Sequence, residues 1–284
     1  MAFLNFIRKS KSSGGDDYKF GIALSGGGAR GFAHIGVLKA LLEHNMEPDI
    51  ISGTSMGSLI GLLYAAGKSP DDILGIIKKV SIIKLFKVAW RQHGMFEMKG
   101  VRKILEEEIG VDDFSTLKKP LYVSISNIST GALEVKSSGA LFDYVLASCS
   151  VPVFFAPMVI GDTTYIDGGL FDNLPSRSIR EKCRYLLGVN VNYINPENHF
   201  DGVRDIGQRS FSLAIDQNVR SSKTLCDYVI EFPEIKDYSL WNFDKLDEIV
   251  DIGYNSTISL LAENKIIPYT LQDNKGISLF KKRG

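Results

Sequence analysis

Apolar positions along the chain change period in a regular way, and the changes mark out alternating strands and helices. After the polar stretch Ser12-Ser13-Gly14-Gly15-Asp16-Asp17, residues 18–24 form a short apolar run ended by glycines, which predicts a buried strand. Phe32, Ile35, Val37, Leu38, Leu41 and Leu42 then recur at helical spacing. Residues 49–52 predict a second strand, and residues 59–67 a helix ended by a C′ glycine, Gly67. Connections this short between strand, helix and strand imply a parallel sheet. Ser69-Pro70-Asp71-Asp72 opens a further helix, with a serine cap, proline in the first position and acids in the first turn.

Farther on, residues 101–109 predict an amphipathic helix and residues 121–126 a strand, turned into a second one through Thr130-Gly131. Residues 141–149 have a helical pattern that the prolines at 152 and 157 stop. Strands are expected at 163–166, 184–191 and 228–230, and helices at 206–220 and 245–263. There is no internal repeat and no sharp boundary, so the expected organisation is an arm of residues 1–17 and one domain over 18–284.

Composition adds mainly exclusions. Hydrophobic residues make up 44% of the 284 and charged ones 23%, the profile of a folded globular chain. Lys+Arg and Asp+Glu both number 33, so no global basic field argues for nucleic acid. Cys149, Cys183 and Cys226 are odd in number and widely spaced. They fit neither a disulfide framework nor a zinc site, and a reducing compartment, the cytoplasm, is the simpler inference.

At the N-terminus the apolar residues precede the basic ones, unlike a secretory signal. The longest apolar segment, residues 56–67 interrupted by Ser58, falls short of the roughly 20 residues that span a bilayer. Two segments are candidates for transient contact with a membrane surface. One is the arm, where Phe3, Leu4, Phe6 and Ile7 precede three positive charges; the other is residues 82–91, apolar and basic with no acid. The arm also reads as a docking or disordered extension, and the second segment as a partly buried connector with snorkelling lysines.

Candidate chemistry gathers at three glycine-rich places. Gly53-Thr54-Ser55-Met56-Gly57 follows a strand and opens an apolar helix, the layout of a nucleophile elbow. There the hydroxyl of Ser55 would sit exposed at a helix N-terminus, with Gly53 and Gly57 keeping neighbouring chain clear. Gly26-Gly27-Gly28-Ala29-Arg30-Gly31, between the first strand and helix, matches a dinucleotide-binding spacing. That motif wants an acid near the end of the second strand, and Asp49 precedes the strand instead. The same loop could serve as an oxyanion hole, since adjacent glycines let amides converge on one point. Arg30 would then steady the loop or meet a phosphate.

A serine nucleophile needs a base. The histidines are His34, His44, His93 and His199. His34 lies in the helix after the glycine loop, where a structural histidine is the default; His44 lies near its end and His93 in the basic connector. Ser55, Asp167 and His199 follow the chain order of an α/β-hydrolase triad. The rival is a pair in which Asp167, bracketed by a strand and Gly168-Gly169, takes the proton from Ser55 itself.

Together, the 26–31 glycine loop, the Ser55 elbow and Asp167-Gly168-Gly169 resemble the patatin-like phospholipase family in composition, order and spacing. Ala147-Ser148-Cys149-Ser150-Val151-Pro152 is similar to that family's Ala-Ser-x-x-x-Pro segment, so the resemblance covers about residues 18–195. It implies a three-layer, modified α/β-hydrolase fold with a mostly parallel central sheet. It also implies Ser55 as nucleophile, Asp167 as base, and Gly26, Gly27, Gly28 and Arg30 in the oxyanion region. The implied activity is hydrolysis of phospholipid, lysophospholipid or related acyl esters without metal or other cofactor. A short-chain carboxylesterase or thioesterase, and a lipid-binding regulator with low turnover, are the alternatives.

Overall fold

The computed structural model describes residues 18–79, 98–152, 154–192, 194, 196 and 198–263. The arm, the 82–91 segment and His93 lie outside the described residues. The first strands and helices are β1 (Tyr18–Leu24), α1 (Ala33–Glu43), β2 (Ile50–Gly53), α2 (Met56–Ala65) and α3 (Pro70–Lys79). Next come α4 (Lys99–Ile109), β3 (Leu121–Asn127), β4 (Ala132–Lys136), α5 (Leu141–Ser148), β5 (Met158–Ile160) and β6 (Thr163–Asp167). The short α6 (Gly169–Asp172), β7 (Cys183–Asn190), α7 (Val203–Lys223), β8 (Tyr228–Glu231) and α8 (Leu246–Ala262) complete the order.

The strands form one eight-stranded sheet in the order β5-β6-β3-β2-β1-β7-β8, with β4 also paired to β3. Strands β3, β2, β1, β7 and β8 run parallel, and β4, β5 and β6 add antiparallel pairings at one side. The mostly parallel sheet expected from the short β-α-β connections is therefore present. Side chains alternate across it as the pleat requires. Ile22, Leu24, Ile51, Leu187 and Val189 enter a large core with α1, α2, α5 and α8, while Ala23, Ile50 and Leu186 enter a smaller one with Leu174 and Val219. Apolar packing on both faces makes three layers and explains why these strands read as nearly continuous apolar runs.

Local signals and packing agree at most element ends. Ser69 and Asp72 cap α3 reciprocally: the Asp72 amide donates to Ser69 Oγ at 3.1 Å and the Ser69 amide to Asp72 Oδ2 at 3.0 Å. Helices α1 and α8 meet backbone to backbone, because a Cβ on Gly36 or Gly253 would collide with main chain of the partner helix. The sequence pattern does not predict β5, three residues set between Pro157 and Gly161 that are held by pairing to β6. Among the described residues, no helix is long and apolar enough to cross a membrane. Cys149, Cys183 and Cys226 are free and buried.

Candidate active site

Ser55 stands between β2 and α2 with φ 52° and ψ −127°, a conformation that L side chains rarely adopt. Holding such a residue costs on the order of 1–3 kcal/mol and requires surroundings that over-determine it. Those surroundings are visible. A Cβ on Gly53 would lie 2.6 Å from the Gly57 carbonyl oxygen, and one on Gly57 the same distance from that of Ser25. The turn therefore closes only with both positions bare. Thr54 Oγ1 donates to the Asp172 carbonyl at 2.8 Å, and Ser58 Oγ to the Ser55 carbonyl at 2.7 Å. The result is a nearly buried serine, 6% exposed, at the N-terminal end of an apolar helix.

Sheet register brings Asp167 to it. Gly53 is level with Val123 across β2 and β3, and Ile125 is level with Asp167 across β3 and β6. Two residues beyond Gly53 lies Ser55, and two beyond Val123 lies Ile125, so Ser55 and Asp167 flank β3 at one height. The Ser55 hydroxyl favours the charged form of the Asp167 carboxyl. Asp167 Oδ1 also accepts from the Gly169 amide at 2.7 Å, and the Asp167 amide donates to the Ser150 carbonyl at 3.0 Å. A Cβ on Gly168 would collide with the Ser124 carbonyl of β3, which explains the bare residue after the aspartate. Burial pushes the Asp167 carboxyl up to about 6, against the Ser55 hydroxyl and the hydrogen bond from Gly169, which favour its charged form.

The glycine loop faces the serine from the other side. A Cβ on Gly26 would lie 3.0 Å from Ser55 Cβ. The Gly26 amide is already bonded to the Asn173 carbonyl at 3.1 Å, and its carbonyl accepts from Asn192 Nδ2 at 2.7 Å. Among the described residues, the amides of Gly27 and Gly28 have no such partner, and neither does that of Met56 in the first turn of α2. Gly28 has φ +54° and lies against Leu240, whose carbonyl accepts from the Ala29 amide at 2.9 Å. Arg30 Nε donates to the Tyr238 carbonyl at 2.6 Å, and burial lowers the pKa of its guanidinium. The arginine thus ties the glycine loop to the chain after β8.

His34, fully buried beneath this loop, points Nε2 at the Ser25 carbonyl at 2.8 Å, and burial pushes it down to about 4. It is a neutral donor that braces the loop, and its Nδ1 has no partner among the described residues. His44 Nδ1 lies 2.9 Å from the Ala40 carbonyl near the end of α1. The side chain of His199 is 84% exposed and pairs with Asp201 at 3.0 Å. Asp49, the acid weighed for a nucleotide ribose, accepts from the amides of Lys19 and Phe20 at 3.1 and 2.9 Å. It caps the start of β1, the end of the strand opposite the glycine loop. No group of three His, Cys, Asp or Glu among the described residues is arranged to hold a metal ion.

Several neighbours of the site carry no sequence signal. Asn173 and Asn192 belong to irregular chain, and Tyr238 and Leu240 come from the stretch after β8 that packs on the loop. The Met56 amide was findable, because the residue after an elbow nucleophile opens the helix and leaves its N–H without an intrahelical acceptor.

Comparison with known proteins agrees with this construction. The chain is 27% identical over 282 residues to Lysophospholipase NTE1 of Scheffersomyces stipitis, with 85% of this chain and 18% of that protein aligned. It is 27% identical over 286 residues to Lysophospholipase NTE1 of Kluyveromyces lactis, covering 88% and 19%. The chain thus spans less than a fifth of the length of these curated relatives. The crystal structure of VipD from Legionella pneumophila superposes with a TM-score of 0.54 at 17% identity, over 89% of this chain and 69% of that one, a likeness of fold. The family model for patatin-like phospholipase matches residues 22–178, more than half of the chain. On that match, over the segment that carries both the Ser55 elbow and Asp167, the chain belongs to the patatin-like phospholipase family, a family of serine hydrolases.

Proposed function

We propose that the chain is a lipid acyl hydrolase that cleaves carboxylic esters of phospholipids or lysophospholipids, with Ser55 as nucleophile and Asp167 as its base. The observation that carries this reading is the placement of the two buried residues on either side of β3 at one height, where the Ser55 hydroxyl favours the charged form of Asp167. Ser55 Oγ attacks the ester carbonyl carbon and its proton passes to the Asp167 carboxylate. Negative charge grows on the carbonyl oxygen, where the amides of Gly27, Gly28 and Met56, without a partner among the described residues, are the available donors. Gly26 lets this oxygen and Ser55 come close, and Arg30 keeps the loop in place.

Collapse of the tetrahedral intermediate breaks the bond to the leaving alcohol, which takes the proton from Asp167. Water then gives a proton to Asp167 as it attacks the acyl carbon, and Ser55 leaves with that proton, freeing the fatty acid. A carboxyl held near 6 is largely ionised at neutral pH yet a stronger base than an ordinary aspartate. The NTE1 relatives, lysophospholipases by name, support the substrate class. Residues 18–284 act in this reading as one hydrolase domain behind the arm, and the lipid is met at a membrane surface.

Product analysis with phospholipid and lysophospholipid substrates tests the reading. Wild type should release fatty acid and be labelled by a fluorophosphonate, and Ser55→Ala should lose both; turnover by Ser55→Ala would remove the scheme. Failure of wild type on both lipids, with turnover of short acyl esters or thioesters, would move the substrate class to the smaller esters.

A further inference from the structure

We infer that the Ser148 hydroxyl is a positioning residue for the nucleophile, holding the Ser55 amide at a fixed place on the strand that lies between Ser55 and Asp167. The inference rests on the proposed roles of Ser55 and Asp167 and goes beyond them. As the residue that caps α2, Ser55 carries an N–H that no carbonyl of its own helix can reach. In a buried site that donor needs a partner from elsewhere in the fold. Ser148 Oγ supplies it at 2.8 Å and donates its own hydrogen to the Ser124 carbonyl at 2.7 Å. An amide only donates and a carbonyl only accepts, so the single hydroxyl hydrogen has one possible direction.

The relay ends where the dyad is built. Ser124 lies on β3 beside Ile125, the residue level with Asp167, and its carbonyl abuts Gly168. Two residues after Ser148, the Ser150 carbonyl accepts the Asp167 amide at 3.0 Å. One turn, Ser148-Cys149-Ser150, therefore holds the main-chain amide of the nucleophile through a hydroxyl and that of the base through a carbonyl. Ser148 is fully buried. It acts through Ser55, and its loss would free a residue already held in an unfavourable conformation.

The test compares Ser148→Ala, Ser148→Thr and Ser148→Cys in the full chain, with concentrations of folded enzyme matched by circular dichroism and thermal melting. With a soluble p-nitrophenyl ester, Ser148→Ala should lower kcat by about 10- to 100-fold, as expected for a displaced nucleophile, with KM within about twofold. The rate of fluorophosphonate labelling should fall in parallel. Ser148→Thr, which keeps a hydroxyl, should recover most of both rates. Where Ser148→Ala does not fold, Ser148→Cys decides, since a thiol of similar size is a poor acceptor and should lower both rates.

Wild-type kcat and labelling in folded Ser148→Ala or Ser148→Cys would overturn the inference, as would a folded Ser148→Thr as impaired as the alanine variant. A merely structural role would lower the melting temperature and leave kcat of the folded enzyme unchanged. Turnover by Ser55→Ala would instead remove the underlying reading, so the two failures are distinct.

Discussion

Asp167 and Ser55 flank β3 at one height inside the protein, and Asp167 is 2% exposed. Burial disfavours the carboxylate and lifts it to about 6, while Ser55 and Gly169 pull the other way. In the proposed mechanism Asp167 must be ionised to take a proton, so kcat/KM should rise with pH through an apparent pKa near 6 and level off above it. An unperturbed aspartate would put this limb near ~4. Rate measurements on a soluble ester from pH 4 to 8 check this. A plateau extending unchanged to pH 4.5 would count against Asp167 as the base, and Asp167→Asn should lack nearly all activity.

A second buried carboxyl affects stability more than chemistry. Asp172, at the end of α6, accepts a hydrogen bond from Ser222 Oγ at 3.1 Å and is pushed by burial up to about 7. Its folded pKa lies above the ordinary value of 3.8, so the folded state keeps a proton that the unfolded chain releases. The stability contributed is full below about pH 4 and is lost as pH rises through 7. Asp172→Asn removes the buried charge and keeps an acceptor for Ser222. It should melt close to wild type at pH 4 and higher at pH 8, by on the order of 1–4 kcal/mol. Equal melting at pH 8 would mean that Asp172 is not held neutral-favouring in the fold.

Adding one methyl at Gly57 should damage the elbow. A Cβ there has only the rigid main chain of Leu24 and Ser25 to push against, at the root of the glycine loop. Gly57→Ala should lower kcat by about 100-fold or more, because a small displacement of the reacting atoms is costly. Thermal melting should fall as well, by the cost of overpacking, about 1–3 kcal/mol. Near-normal kinetics in this variant would show that the turn can relax without moving Ser55.

His199 lies in solvent and pairs with Asp201. The serine–aspartate pair leaves it no part in activating Ser55 in the proposed mechanism. His199→Ala should keep kcat/KM within about twofold and stability within about 0.5 kcal/mol, as for surface changes generally. A collapse of activity with normal melting would restore a three-residue arrangement.

Much of the fold is legible in the chain because it is local. β1, α1, β2 and α2 follow from apolar period and glycine punctuation, and α3 from its serine-proline-acid start. The helix predicted at 206–220 is longer in the structure, Val203–Lys223, because the chain after Gly202 is already helical. The elbow is legible for the same reason: only bare positions at 53 and 57 let a strand turn so tightly into a helix.

The chain itself rules Asp49 out as a ribose ligand, because it precedes the second strand, and the fold adds what it does instead. Its spacing from the glycine loop suits a ribose ligand, but strand direction places it at the far end of β1, where it caps two amides. The availability of loop donors is equally non-local, since the Gly26 amide is consumed by Asn173, a residue outside every motif.

The sequence by itself determined the strand–turn–helix units and the kinds of side chain they present, because φ preferences and hydrophobic period act within a few residues. Tertiary structure decided that Ser55 and Asp167 face each other, which amides stay without a partner among the described residues, and which carboxyls are desolvated. Those outcomes depend on the register of β2, β3 and β6 and on burial, and both arise only when segments distant in the chain pack together.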